Sequence, residues 1–68
     1  MSFCVIVEYF RIDLELDGMV TSRGWANLPA ARKRCQYIKR KLNGRPNVIV
    51  NAWRIEDGEE NVVARCRS

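Results

Sequence analysis

Between Asn27 and Gly44, Leu28, Ala31, Cys35, Ile38 and Leu42 recur at intervals of three and four, the spacing of one helix face. This is the chain's only stretch with that period. It predicts one amphipathic helix, which must bury its stripe against something that is not another helix. The ends carry matching signals. Asn27 can cap the start by accepting from free backbone N–H groups, and Pro29 falls in the first turn, where its missing N–H costs nothing. Gly44 is expected to end the helix in a left-handed conformation, and Pro46 bars continuation.

The flanking segments alternate with a period of two. Phe3 to Leu16 reads as a strand, with Cys4, Ile6, Phe10, Ile12, Leu14 and Leu16 on one side and Glu8 as the exception. Phe3, Val5, Val7, Tyr9, Arg11, Asp13 and Glu15 take the other side. Both sides are apolar before Glu8, which predicts a central strand for that half. Asp17-Gly18 predicts a two-residue hairpin that pairs Leu16 with Met19 and sets Trp25 opposite Phe10. Met19 to Arg23 is then a short edge strand. Trp25 is read as a staple between helix start and sheet, with a ligand platform as the alternative. Asn47 to Glu56 predicts a second long strand, Asp57-Gly58-Glu59-Glu60 a polar turn, and Asn61 to Arg67 the last strand.

The expected fold is therefore α+β, in the order β-β-α-β-β: a single helix packed on one face of a largely antiparallel four-stranded sheet. At 68 residues the chain is one domain, 1–68. A chain this short buries only about 60% of its unfolded surface, so a partner or a second copy would help it. One helix covers one face. The face expected to stay bare carries Val5, Val7, Tyr9, Arg11, Val48, Val50, Arg54, Val63, Arg65 and Arg67, an apolar patch edged by arginine. The phase of the third strand decides whether Trp53 is core or surface, since a slip of one residue exchanges the faces.

Charge is unevenly distributed. The net charge is +4, and all the acidic residues fall in Glu8–Asp17 and Glu56–Glu60. The helix has none. Around its stripe lie Arg32, Lys33, Arg34, Lys39, Arg40 and Lys41. Lys39, Arg40 and Lys41 suit the negative helix end. Arg32, Lys33 and Arg34 do not, and like charges one turn apart cost roughly 0.2–0.5 kcal/mol per pair. A solubilising face is the simpler explanation. An anionic partner is the other, with Arg32, Lys33, Lys39 and Arg40 as contacts and Tyr9, Arg54 and Arg65 on the bare sheet as further candidates.

Several functions are disfavoured. The chain has no histidine, so the usual general base is missing, and no environment activates a cysteine nucleophile. No enzyme is expected. Cys4, Cys35 and Cys66 are odd in number and far apart, and they form no CxxC pair. They read as buried thiols of a reducing compartment, with no metal and no cofactor. Asp13, Glu15 and Asp17 read as an exposed strand side rather than a cation site. Gly24 and Gly44 are isolated, which leaves no phosphate-cradling loop. The apolar start, Phe3 to Val7, is short and meets Glu8, so neither a signal peptide nor a membrane span is expected. The expected setting is cytoplasmic, a host's cytoplasm included.

Ala31-Arg32-Lys33 on a helix, then Asn47-Val48-Ile49-Val50, Trp53-Arg54-Ile55-Glu56-Asp57-Gly58 and Val62-Val63-Ala64, resembles small phage and mobile-element proteins. Among these it is similar in layout to the type I-F anti-CRISPR inhibitors. The resemblance implies one helix on an antiparallel sheet and a non-enzymatic inhibitor that docks on a guide-RNA surveillance complex and obstructs target DNA. Arg32, Lys33 and Arg65 would be its contacts. Two other classes stand beside it. One is a nucleic-acid-binding accessory protein whose basic helix and Tyr37 track a phosphate backbone. The other is a structural subunit that forms a homodimer through its open sheet face.

Overall fold

A computed structural model describes residues 2–59 and 61–67. The elements are β1 (Phe3–Arg11), β2 (Leu16–Trp25), α1 (Leu28–Asn43), β3 (Val48–Glu56) and β4 (Val62–Arg67). The strands form one antiparallel sheet in the order β2-β1-β3-β4. β1 is central, as its doubly apolar first half implies. Because β2 and β3 both run antiparallel to β1, they run parallel to each other. Their connection must therefore cross the sheet, and α1 makes that crossing. Among the described residues no helix is long and apolar enough to span a membrane.

Ala31, Cys35, Ile38 and Leu42 from α1 meet Val5 and Val7 from β1 and Val50 and Ile55 from β3 in the core. Each fully buried Val, Ile or Leu contributes about 1.5–3 kcal/mol. Leu28, the first stripe residue, packs at the margin. Asn27 caps as expected: its Oδ1 accepts from the Ala30 N–H at 2.9 Å.

The other helix end departs from expectation. Gly44 is right-handed, with φ −78 and ψ −7, and its N–H donates to the Arg40 carbonyl at 3.1 Å. Arg45 N–H then donates to the Leu42 carbonyl at 3.1 Å, tightening the last turn. The left-handed residue is Asn47, at φ 63, beyond Pro46. Asparagine tolerates that conformation because its short polar side chain can hydrogen-bond locally.

The first hairpin also differs. β1 ends at Arg11, Ile12–Glu15 makes the turn, and Glu15 takes φ 51. Asp17 and Gly18 lie inside β2, opposite Phe10 and Tyr9, and Trp25 stands opposite Phe3 rather than Phe10. Gly18 serves close approach instead of a turn. A Cβ there would come within 2.6 Å of Tyr9 Cε2 and nearer still to Cζ and the hydroxyl. Trp25 packs against the core and donates from its indole N–H to Ser22 Oγ at 3.0 Å, which fits the staple reading.

The faces are exchanged relative to expectation. Val5, Val7, Tyr9, Val48 and Val50 lie under α1. The open face carries Cys4, Ile6, Glu8 and Phe10 from β1 with their cross-strand neighbours. Two facts explain the exchange. The first half of β1 is apolar on both sides, so alternation alone cannot choose between them. In addition, β3 has a bulge: Glu8 pairs with Ala52 and Tyr9 with Val50, leaving Asn51 unopposed. The parity of β3 changes there. Val48, Val50, Trp53 and Ile55 all join the covered side, whereas strict alternation would separate them. Arg54 and Arg65 are opposite each other on the open face, as expected. Arg11 lies at a covered-face register position but is exposed. Glu60 and the side chains of Cys66 and Arg67 lie outside the described residues.

Candidate partner-binding surface

Every charged side chain on the outward side of α1 is basic. Arg32, Lys33, Arg40 and Lys41 are exposed, and Arg34 and Lys39 are half-buried. The first turn contains no acidic residue. Among the described residues the ion pairs are Arg11–Asp13 at 2.9 Å, Arg54–Glu56 at 2.9 Å and Arg54–Glu8 at 3.6 Å, and none reaches the helix.

Aromatic rings take the place of acids. The Arg34 guanidinium carbon lies 4.9 Å from the Tyr37 ring centre and 5.9 Å from that of Trp25. Lys41 Nζ lies 5.6 Å from the Tyr37 ring and Lys39 Nζ 5.3 Å from Trp53. A cation over a ring face is attracted by the ring quadrupole, by about 0.5–1 kcal/mol at an exposed site. The rings hold these cations without neutralising them. Arg34 Nε is buried and has no hydrogen-bond partner, so its side chain is held by stacking. Tyr37 remains 47% exposed between Arg34 and Lys41.

The helix therefore unites Arg32, Lys33, Lys39 and Arg40 on one element. Arg32 and Lys39 flank a small notch of about 70 Å³ with Cys35, Gln36 and Trp53. Burial pushes the Cys35 thiol up from its ordinary range, and the Lys39 and Arg32 charges offset part of that rise.

The remaining candidates do not join this surface. Tyr9 lies on the covered face, beside a hollow of about 240 Å³ that it lines with Arg11, Leu42, Arg45, Pro46 and Val48. Arg54 is held by Glu8 and Glu56 on the open face, with Arg65 opposite it. Arg34, Lys41 and Trp53 were not singled out as contacts from the sequence. The spacing Arg34, Tyr37, Lys41 was the available signal, since residues three and four apart are helix neighbours.

These features define a small α+β protein with one basic helix across a four-stranded antiparallel sheet. No protein-family model matches the chain, and no curated protein or solved structure matches it either.

Proposed function

We propose that the chain is a small non-enzymatic inhibitor that binds a host protein or ribonucleoprotein complex through α1, in the manner the anti-CRISPR resemblance implies. One observation carries the reading: among the described residues, no acidic side chain pairs with any basic residue of the helix. Arg32, Lys33 and Arg40 project into solvent with charge that no described acidic side chain engages. Such a surface attracts an acidic groove or a phosphate array and speeds encounter with it.

A second reading, a nucleic-acid-binding accessory protein, is favoured by Tyr37. Its exposed ring between Arg34 and Lys41 combines the two elements that grip single strands, an aromatic face and flanking cations.

One experiment separates the readings. A type I-F surveillance complex is incubated with native protein or with the Arg32→Glu/Lys33→Glu variant, and target-DNA binding is measured at two salt concentrations. The inhibitor reading expects native protein to block target binding and the folded variant to lose the block. Direct, steeply salt-dependent binding to free nucleic acid, with no effect on the complex, would favour the accessory protein. A folded variant that blocks as well as the native protein would remove the helix from the site.

A further inference from the structure

Among the described residues no other element covers the sheet face turned away from α1. Its apolar centre is formed by Phe10, Met19, Ile49 and Ala52 around Ile6, which its neighbours already bury, and cross-strand pairing sets all five on the same side. Met19 is 58% exposed and Ile49 50%. Both signs surround this centre: among the described side chains Glu8, Asp17 and Glu56 stand with Arg23, Arg54 and Arg65, and the register sets Arg67 opposite Ala52 on the same face. The charged residues of the helix, by contrast, are all basic. We propose that the open face is the interface between two copies of this chain, packed sheet on sheet about a two-fold axis.

Charge is the first argument for a second copy as the occupant. In a two-fold interface the same patch meets itself, so a face holding both acids and bases can set each sign against its opposite. A polyanion gains little from a face of mixed sign when a basic one lies on the other side of the molecule. Size is the second. The molecule measures 38 × 19 × 18 Å, and a face of 38 × 19 Å approaches the roughly 800 Å² per partner of a standard stable interface. The geometry is also ordinary, because stacked sheets pack about 10 Å apart with their apolar side chains interleaved. The product is a four-layer helix–sheet–sheet–helix particle whose two basic helices face outward in opposite directions. This inference does not depend on what the helix binds.

The test begins with sedimentation of the native protein, kept reduced, over a wide concentration range. A two-chain mass is expected, dissociating on dilution. The variants Met19→Glu and Ile49→Glu, at half-exposed positions, are expected to shift it to a one-chain mass with unchanged circular dichroism. Tyr37→Glu, on the helix side, should leave it dimeric. One readout needs no variant: peroxide oxidation of Met19, followed by peptide mass, should slow as protein concentration rises. A one-chain mass at every concentration, a dimer surviving both sheet-face variants, or Met19 oxidation independent of concentration would overturn the proposal.

Discussion

The Tyr9 ring lies across Gly18 on the neighbouring strand, in the space a side chain at position 18 would occupy. Glycine within a strand ordinarily costs about 0.5–1 kcal/mol in chain entropy, so replacing it should help. Here the sign reverses. Gly18→Ala should destabilise the protein by about 1–3 kcal/mol, the usual range for overpacking. In a Tyr9→Ala background the same change should cost far less. Urea melts of the four proteins in that cycle measure the coupling directly.

Ile38 sits mid-stripe on α1 in the core shared with Val5, Val7 and Val50. Ile38→Ala should cost roughly 2–5 kcal/mol, since it removes buried methyl groups and leaves a cavity. A change under half a kcal/mol in urea unfolding would contradict that packing.

Asp57 ties the β3–β4 turn. Its Oδ1 accepts from the Glu59 N–H at 2.8 Å and from the Asn61 N–H at 3.0 Å. These bonds favour the carboxylate and hold its pKa below the ordinary 3.8, the Glu59 bond contributing most. As pH falls through 3.8 the unfolded chain takes up the proton first. The stabilisation is therefore full above that value and is lost as pH falls through the lower folded value. Asp57→Asn removes this titration. The native protein should therefore be the more stable of the two above pH 3.8, and the two stabilities should converge as pH falls below it.

Cys35 is buried in the stripe, and its raised pKa keeps the thiol protonated at neutral pH. The thiolate is the reactive form, so Cys35 should resist alkylation in the folded protein and label readily in urea. Cys4, half-buried, should label before Cys35 when the protein is dilute. Peptide mapping after brief iodoacetamide treatment distinguishes the two sites. Above the ordinary thiol pKa of 9.0 the unfolded chain ionises before the folded one, so Cys35 also contributes a loss of stability in alkali.

The helix was legible because its signal is redundant: stripe, cap and first-turn proline all agree, and the sheet does not alter a period of three and four. The basic surface was legible for the same reason, since helical residues without acidic neighbours in sequence stay unpaired unless another element reaches them. The first hairpin was not. Asp-Gly is a strong local turn signal, but here a long-range constraint overrides it, the fit of Gly18 under Tyr9. The Ile12 N–H also donates to the Asn47 carbonyl at 2.8 Å, linking the first turn to the start of β3. The choice of sheet face was not legible either. Where Val5 and Ile6 are both apolar, only the partner strand's parity decides which turns inward, and Asn51 interrupts that parity.

The unopposed Asn51 makes the gene's response to change uneven along β3. Substituting the residue alters one exposed side chain. Deleting its codon removes the bulge itself: Ala52 would follow Val50 directly and still meet Glu8, so Trp53 and Ile55 keep the covered side and Arg54 and Glu56 the open one. Deleting the codon of a paired residue beyond it, Trp53 or Arg54, is a different event, because the rest of the strand then turns over. A variant library spanning this region should tolerate replacement and single-codon deletion at position 51, and reject frame-preserving deletion at 53 or 54.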